Sequence, residues 1–488
     1  MIAFDLGASS GRGMIGSYDN ERIAFSEFHR FQNTPVSING SLQWDVLFLY
    51  GEMIKGLKGL SASGDTYASL GIDTWGLDVA FLDTAGLLIG NPLHYQNVLT
   101  LDVLPSLFEK IDPWDLYSRT ALQQVRIKTL PKIFALHCKY PHFLPNCENM
   151  LFICDLFNYF FTGVKACERS IASTSQMCSV EAGDWDTDLL HRLSLPTQFL
   201  TPIASPCKIL GKFLPSVAQD VGFSLPVALT LSHDTSCAFL ATPFDKKERS
   251  AVLSCGTRAL LGVELDAPIA TKEAFIHQFS SEKGVDGTTR LLKSAMGLYI
   301  YQQLCIEFSA ESAPPDYDML NAQAYGAPAH QCFIDPDHEL FSQPGPMAAR
   351  IRDFCQQTGQ TAPDTKEALL RCVLESLTLN YALAFSSLEA VLNEPVERLY
   401  VVGGGGANKT LMQFLADCID RPVFSGPKEA AVLGNLFSQL IALGELKDRW
   451  EARTILANSS PTTQYLPQSD HSWQTAAGRF LAIKNKFS

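Results

Sequence analysis

The chain has 488 residues, 46% of them hydrophobic and 18% charged, so it can bury a large core spread over about two to four domains. A formal net charge of −13 argues against nucleic acid as a partner, because phosphate-backbone binding needs concentrated Lys and Arg. The 13 cysteines include no C-x-x-C pair, and the start of the chain lacks the pattern of a signal peptide. No apolar run reaches the roughly 20 residues of a membrane-spanning helix. We therefore expect reduced thiols and a soluble, cytoplasmic protein that binds neither nucleic acid nor membrane.

Two Gly/Ser-rich turns, each lying between short apolar stretches, are typical of β-hairpins. The first turn is at residues 5–12 and the second at residues 254–258. Their glycines, Gly7 and Gly256, are separated by about half the length of the chain. This spacing predicts two related halves that each begin with a strand, a turn and a strand. A chance likeness between two short hairpins is the alternative.

Strand-like and helix-like segments alternate along both halves, which favours an α/β fold. The elements that we predict are a strand at 68–73, a helix with apolar residues at helical spacing from Glu367 to Val391, a strand at 398–402, a glycine turn at 403–406 and a helix at 409–418. The predicted domains are residues 1–241 and 251–448, joined by a charged, proline-containing linker at 242–250 and followed by a tail at 449–488 without a recognisable site.

Glycine turns with Ser or Thr can present backbone N–H groups and hydroxyls to phosphate, because no Cβ blocks the approach. Both hairpin turns have this composition. Asp5 lies in the first of them, and its carboxylate would repel phosphate unless a cation such as Mg²⁺ lay between the two. The sequence therefore predicts that the two turns hold the phosphates of a nucleotide, with two ordinary tight turns as the alternative.

The four glycines at 403–406 admit three interpretations. A Rossmann loop needs G-x-G-x-x-G and a P-loop needs G-x-x-x-x-G-K-T, and in both patterns Asn408 stands where a glycine is required. The third interpretation is a strand, turn and helix that form a wall against which adenine and ribose lie, since glycines permit a close approach to the backbone.

Residues 232–235, Ser-His-Asp-Thr, follow an apolar stretch and so lie at the C-terminal end of a predicted strand, where α/β proteins bind ligands. Asp234 can accept a proton from a hydroxyl nucleophile, and His233 can hydrogen-bond a polyol. The alternative is that both residues cap the following helix. Residues 71–76 form a comparable strand end that offers a carboxylate and a glycine.

Together, these segments resemble the FGGY family of carbohydrate kinases. The resemblance rests on 5–12, 71–78, 232–235, 254–257 and 402–408, and it runs over nearly the whole chain. It implies a duplicated actin-like ATPase fold, related to ribonuclease H, with a ligand cleft between two domains. The implied activity is ATP- and Mg²⁺-dependent phosphorylation of a ketose hydroxyl by a monomer or homodimer, with L-rhamnulose as the first candidate. Alternatives are a kinase for another deoxyketose or pentulose, such as L-fuculose or xylulose, and a noncatalytic sugar or nucleotide sensor.

The resemblance also implies roles for individual residues. Asp234 becomes the general base, and Asp5 becomes a metal ligand through water. The other implied contacts are Gly76, His233, Asp234, Thr235 and Ser294 for the sugar, and Ala8, Ser9, Ser10, Gly11, Arg12, Thr257, Gln302 and Gly405 for the nucleotide. The chain departs from the family pattern at 95–100, where two arginines and a carboxylate are lost, and we expect the departures at Gln96, Asn97, Arg258 and Ser294 to alter sugar specificity, the last of which replaces an asparagine.

Overall fold

The computed structural model describes residues 1–62, 64–244, 246, 248–309, 315–342, 345–468 and 471–486. Contacts divide the chain into two compact units. Unit 1 contains Met1–Ala241, Glu264–Leu291 and Ala430–Ser459, and unit 2 contains Thr242–Val263, Leu292–Glu429 and Ser460–Ser488.

The strands are β1 (Ile2–Leu6), β2 (Ser10–Tyr18), β3 (Ile23–Gln32), β4 (Val36–Ile38), β5 (Ser41–Gln43), β6 (Leu70–Thr74), β7 (Val79–Leu82), β8 (Asn149–Phe152), β9 (Cys167–Glu168), β10 (Ile203–Ala204), β11 (Lys208–Lys212), β12 (Pro226–Leu229), β13 (Ser250–Cys255), β14 (Arg258–Leu265), β15 (Ser280–Lys283), β16 (Thr289–Met296), β17 (Arg398–Val402), β18 (Val423–Ser425) and β19 (Thr463–Tyr465).

The α-helices are α1 (Val46–Ser61), α2 (Val103–Phe108), α3 (Pro113–Thr120), α4 (Thr129–Lys139), α5 (Ile153–Thr162), α6 (Arg169–Ala172), α7 (Thr187–Arg192), α8 (Pro215–Val221), α9 (Asp234–Leu240), α10 (Lys272–Ile276), α11 (Tyr299–Glu307), α12 (Tyr317–Gly326), α13 (Met347–Gln357), α14 (Lys366–Leu392), α15 (Lys409–Ile419), α16 (Ala430–Leu443), α17 (Arg449–Ser459) and α18 (Ser472–Lys484).

Six strands form the central sheet of unit 1, in the order β3-β2-β1-β6-β12-β11. β1 and β2 form the first predicted hairpin, and β1 pairs in parallel with β6 on its other edge. All five residues of β1 are buried, as expected for a strand that is covered on both faces. Ile2, Phe4 and Leu6 of this strand belong to a core cluster that also includes Trp44 and Ile72.

A seven-stranded sheet has the order β15-β16-β14-β13-β17-β18-β19, and its last six strands repeat the order of the first sheet. β13 and β14 form the second predicted hairpin. The parallel pairs β13–β17 and β17–β18 and the antiparallel pair β18–β19 match β1–β6, β6–β12 and β12–β11 of unit 1. Because the strand order and every one of these directions agree, the prediction of two related α/β halves is confirmed and chance likeness is excluded.

The local predictions also have clear outcomes. The strand at 398–402 is β17, the helix at 409–418 is α15, and the strand at 68–73 is β6, which begins two residues later. The predicted turn at 403–406 lies between β17 and α15, and within it Gly404–Ala407 forms a short 3-10 helix.

Two segments that follow the predicted linker in sequence belong to unit 1, namely Glu264–Leu291 and Ala430–Ser459. The second of them contains α16, whose Gln439 donates a hydrogen bond from Nε2 to the carbonyl of Ile2 at 2.9 Å. The helix α16, which lies late in the sequence, therefore packs against β1, the first strand of the chain. The predicted tail contains α17, β19 and α18. Asp245 and Lys247 of the predicted linker lie outside the described residues.

α14 is a 27-residue helix of unit 2. Thr365 caps its start by accepting a hydrogen bond from the N–H of Ala368 at 3.2 Å, and Asn393 ends it with a positive φ of 52°. Within the described part of the chain, α14 is the one helix long and apolar enough to cross a membrane, and 83% of its most apolar 18 residues are buried inside the protein. This burial confirms the predicted core helix.

Candidate active site

Asp5 and Asp73 lie side by side on two central strands of unit 1. The parallel register of β1 and β6 pairs the two residues, and both are buried. Arg12, opposite Asp5 in the hairpin, forms an ion pair with its carboxylate. Burial raises the pKa of Asp5, although Arg12 opposes this effect. Burial and the charge of Asp5 raise the pKa of Asp73 well above its usual range.

These two carboxylates fit a hard divalent cation. Asn435 donates a hydrogen bond from Nδ2 to Oδ2 of Asp73 at 2.7 Å, which fixes the orientation of the carboxylate. Oδ1 of Asp73 is buried and has no hydrogen-bond partner among the described residues. Such an oxygen is costly to bury unless a cation or a proton lies beside it. Asp73 is therefore a candidate metal ligand that the predicted site residues left out, although the strand end that carries it was singled out.

The first hairpin turn is held by its own backbone and by Asn33. The N–H of Gly7 donates to the carbonyl of Ser10 at 2.9 Å, and Nδ2 of Asn33 donates to the carbonyl of Gly7 at 2.8 Å. Ala8 and Ser9 at the tip of the turn are exposed. These hydrogen bonds hold the backbone of the turn in place, and its tip is accessible to a ligand.

The ends of β6 and β12 bring the predicted sugar segments together. The N–H of Thr74, the last residue of β6, donates to the carbonyl of Ser232 at 2.9 Å, which continues the parallel pairing beyond the end of β12. A Cβ on Gly76 would lie 3.0 Å from Nε2 of His233, so this glycine lets the imidazole approach the backbone. Four of the predicted sugar contacts share this part of unit 1: Gly76, His233, Asp234 and Thr235.

Asp234 is the first residue of α9, and its side chain is 34% exposed. Its Oδ1 accepts hydrogen bonds from the N–H and the hydroxyl of Thr235 at 2.5 and 3.0 Å. Nε2 of His233 lies 3.5 Å from the same oxygen. His233 occupies the N-cap position, yet its side chain makes no capping hydrogen bond. Asp234 therefore supports the start of the helix and still presents a carboxylate that can accept a proton.

Asp78 is the buried centre of the segment that follows β6. Its Oδ2 accepts hydrogen bonds from Nε1 of Trp44 at 2.6 Å, Nε1 of Trp75 at 3.0 Å and the N–H of Tyr95 at 3.2 Å. Lys132 forms an ion pair with the other oxygen. A buried carboxylate with charge-assisted bonds on both oxygens fixes Trp75, the neighbour of Gly76. The motif at 71–78 contained Asp78, but no local pattern indicated this role.

Asn97, one of the departures from the family pattern, supports its own loop. It is buried, and its Nδ2 donates to Oγ of Ser41 at 3.0 Å and to the carbonyl of Leu42 at 2.7 Å. Its Oδ1 accepts the N–H of Leu99 at 2.9 Å. Gln96, by contrast, is exposed. Of these two neighbouring substitutions, the one at Gln96 is therefore the better placed to meet a ligand.

In unit 2, the second hairpin turn lies against the end of β16 and against the glycine motif. The N–H of Gly256 donates to the carbonyl of Arg258 at 3.0 Å, and the N–H of Leu298 donates to the carbonyl of Gly256 at 2.8 Å. A Cβ on Gly403 would lie 3.1 Å from the carbonyl oxygen of Cys255. Thr257, Gln302 and Gly405 are thus carried by segments that meet around this turn, with Thr257 exposed and Gln302 half-buried on α11.

Two predicted nucleotide glycines are packed closely against protein atoms. A Cβ on Gly11 would lie 2.3 Å from ring atoms of Phe31. A Cβ on Gly405 would lie 2.5 Å from Cβ and Sγ of Cys255. A side chain at either position would therefore displace its neighbours, whatever ligand lies nearby.

Asn408 excludes two interpretations of the glycine motif. It is the N-cap of α15, where its Oδ1 accepts the N–H of Leu411 at 3.0 Å. The hydroxyl of Thr410 donates to the carbonyl of Asn321 at 3.1 Å, whereas a P-loop uses that hydroxyl as a metal ligand. The P-loop and Rossmann interpretations are wrong, and the strand, turn and helix wall remains.

Three thiols form a separate cluster in unit 2. Cys332, Cys355 and Cys372 are buried, and their sulfur atoms lie within 4.8 Å of one another. Thiols are soft ligands, whereas Mg²⁺ prefers oxygen. The candidate magnesium site is therefore the predicted ligand Asp5 with its neighbour Asp73 in unit 1, and not this cluster.

Comparison with known families identifies the class of protein. Residues 1–241 match the N-terminal domain of the FGGY family of carbohydrate kinases, and residues 251–443 match its C-terminal domain. The chain belongs to this family and is an ATP-dependent carbohydrate kinase, as the sequence resemblance implied.

Individual relatives and solved structures are similar to this chain over almost its full length. A rhamnulokinase of Bacteroides thetaiotaomicron is 33% identical over 485 residues, which cover 99% of this chain and 98% of the relative. A rhamnulokinase of Pectobacterium carotovorum is 35% identical, with 99% of this chain and 96% of the relative covered. Among solved structures, a xylulose kinase from Rhodospirillum rubrum has a TM-score of 0.80 at 17% identity, with 99% of this chain and 98% of that chain covered. A gluconate kinase from Lactobacillus acidophilus also has a TM-score of 0.80, at 16% identity, with 100% and 99% covered. These two structures support the fold.

Proposed function

We propose that this carbohydrate kinase phosphorylates L-rhamnulose, with ATP as donor and Mg²⁺ as cofactor, in the cytoplasm. The observation that carries the proposal is the similarity to rhamnulokinases over nearly the full length of both chains. The neighbourhood of Asp234 supports it, because a partly exposed carboxylate lies beside His233 and close to Gly76.

In this proposal, Asp234 accepts the proton of the attacking sugar hydroxyl. A new bond forms between the hydroxyl oxygen and the γ-phosphorus, the bond from that phosphorus to the β,γ-bridging oxygen breaks, and ADP leaves. His233, Thr235 and the backbone of Gly76 orient the sugar. The exposed turn at Ala8 and Ser9 offers backbone N–H groups to phosphate oxygens.

Asp5 and Asp73 would hold the cation, directly or through water. Bound Mg²⁺ would neutralise charge on the phosphates. Arg12 keeps a positive charge next to Asp5, so both carboxylates do not have to be balanced by the cation alone. In unit 2, Thr257, Gln302 and Gly405 are the proposed nucleotide contacts.

ADP release measured over a panel of ketoses tests this proposal, with a reaction lacking sugar as the control. We expect the highest kcat/KM with L-rhamnulose and a background close to zero without sugar. A higher kcat/KM with L-fuculose or L- or D-xylulose would assign another ketose and would point to Gln96 and Ser294 as the causes. ATP binding without turnover of any ketose would favour a sensor, against which the retention of Asp5 and Asp234 speaks.

A further inference from the structure

A buried cluster of charges lies behind the proposed sugar site in unit 1. Glu282 on β15 is 6% exposed, Lys128 is 6% exposed and Arg290 is fully buried. Oε1 of Glu282 lies 3.4 Å from Nζ of Lys128, and Oε2 lies 3.4 Å from Nη2 of Arg290. Three charged groups are rarely buried together without a function or a network of partners, because removing charges from water is costly.

His233 lies between this cluster and Asp234. Nδ1 of His233 is 4.0 Å from Oε2 of Glu282, and Nε2 is 3.5 Å from Oδ1 of Asp234. Nδ1 is buried and has no hydrogen-bond partner among the described residues. Nε2 also faces Gly76, the glycine of the other strand end. One edge of the ring therefore points to the buried glutamate and the other to the proposed sugar site.

The protonation state of the imidazole determines whether Nε2 of His233 donates or accepts a hydrogen bond. The charged groups that face it are Asp234, Glu282, Arg290 and Lys128. Burial lowers the pKa of His233, although both carboxylates oppose this effect, so the neutral ring is favoured. A neutral ring carries its proton on one nitrogen only. If Nε2 carried it, the ring would donate to Asp234 and make that carboxylate a weaker base.

We propose that Glu282 is a positioning residue that selects the Nδ1–H tautomer of His233. Movement of a few tenths of an ångström per group brings Nδ1 and Oε2 within hydrogen-bond distance, and such bonds tighten when substrate binds. Nε2 then accepts a hydrogen bond from a sugar hydroxyl, and Asp234 remains free to accept the proton of the attacking hydroxyl. The inference deepens the proposed kinase function and rests on it.

Lys128 and Arg290 keep the side chain of Glu282 ionised. Burial raises the pKa of Glu282, but the charges of Lys128 and Arg290 outweigh burial and lower the pKa below its usual value. Glu282 is thus held as the carboxylate, which can accept and cannot donate a hydrogen bond. An ionised acceptor is what favours a proton on Nδ1 over the other tautomer.

The test is Glu282→Gln, with Glu273→Gln as the matched control. Glu273 is on α10 in the same unit and forms an exposed ion pair with His277. For Glu282→Gln we expect the sugar KM to rise about tenfold and kcat to fall about tenfold, as for a lost hydrogen bond to substrate and a weaker base. The KM for ATP should stay within about twofold, and Glu273→Gln should leave all constants within about twofold. Equal losses for sugar and ATP, or no loss, would overturn the inference.

Nitrogen-15 NMR of labelled histidine reads the tautomer directly, with His233→Gln to assign the signals. We expect the Nδ1–H form in the wild type and a shift toward Nε2–H in Glu282→Gln. An Nε2–H ring in the wild type overturns the proposal even if the enzyme is active. Conversely, a wild type that phosphorylates no ketose overturns the kinase function while the tautomer comparison still tests the role of Glu282.

Glu282→Asp covers the case in which the glutamine variant does not fold. Aspartate keeps a negative charge near Lys128 and Arg290, but its shorter side chain draws the carboxylate away from Nδ1 and also lengthens the two ion pairs. We expect a melting temperature closer to that of the wild type than the glutamine variant has, together with the same rise in sugar KM. A sugar KM like that of the wild type would contradict selection of the tautomer by distance to Glu282.

Discussion

The two hairpins have the same backbone and different chemistry. In the first, β1 pairs Asp5 with Arg12 on β2 and with Asp73 on β6. The equivalent position in the second hairpin is Ser254, which pairs with Leu260 on β14 and with Val402 on β17. Register for register, unit 1 has two carboxylates and a guanidinium where unit 2 has a hydroxyl and two apolar side chains.

This difference indicates that the two units of the duplicated fold have different chemical roles. Carboxylates near a transferring phosphate need a cation, and a carboxylate also serves as the proton acceptor, so unit 1 is suited to metal and proton chemistry. The second turn offers Gly256, Thr257, backbone N–H groups and the exposed Arg258 without a carboxylate, so it is suited to direct contacts with an anionic nucleotide. The variants below test this division.

The largest effect is expected for Asp234→Asn. The amide keeps the shape of the side chain and cannot accept the hydroxyl proton, so the rate of phosphoryl transfer should fall about 100-fold or more. Nucleotide binding, followed by ATP titration, should be nearly unchanged. Asp266→Asn, at an exposed position of unit 1, is the control. A variant at position 234 that keeps more than about a tenth of the wild-type rate would exclude Asp234 as the base.

The comparison between the hairpins is tested most directly by Asp5→Asn against Ser254→Ala. We expect the first to raise the Mg²⁺ concentration for half-maximal activity about 10- to 100-fold. The second should leave it within about twofold. Mg²⁺ titrations of activity at saturating ATP measure both. Equal changes at the two positions would show that the hairpins do not differ in metal binding.

A comparison of Gly405→Val with Gly404→Val tests packing and nucleotide binding at the glycine motif of unit 2. Because a Cβ at position 405 would overlap Cys255, we expect a loss of about 1–3 kcal/mol in the free energy of unfolding, together with weaker ATP binding. Gly404 is exposed and a Cβ there would meet no atom within 4 Å, so its variant should keep its stability. Denaturant unfolding and ATP titration separate the two effects. A stable Gly405→Val protein would contradict the packing argument.

The pH dependence of the metal requirement follows from the raised pKa values of Asp5 and Asp73. A carboxyl with a raised pKa takes up its proton at a higher pH than usual, and the protonated group does not bind a cation. The Mg²⁺ requirement should therefore increase as the pH falls, and the increase should begin at a higher pH than ordinary carboxylates would give. Protonation of ATP contributes to the same trend, so the comparison is with Asp5→Asn, in which the increase should be smaller. Parallel curves for the two proteins would contradict a role for Asp5.

Much of this division could be read from the sequence, and some of it could not. The hairpins and their duplication follow from glycine turns between apolar stretches, and Asp234 follows from its place at a strand end. The contact of Asn435 with Asp73 joins residues 362 positions apart, so no local pattern contains it. Glu282 was missed for the same reason, because it reaches His233 only when β15 is returned to unit 1.

The smallest effect concerns specificity. Ser294 is exposed on β16, at a position where the family resemblance implies an asparagine. A shorter side chain leaves a sugar hydroxyl unpaired or bridged by water, and a change of this size is worth about 1–3 kcal/mol in binding. We therefore expect Ser294→Asn to lower the KM for L-rhamnulose about tenfold if the wild type uses that sugar poorly, and to change it less for other ketoses. The measurement is KM for L-rhamnulose and for two or three other ketoses in both proteins. An equal change for every sugar, or no change, would mean that the side chain at position 294 does not discriminate between sugars. Gln96 would then be the substitution to examine.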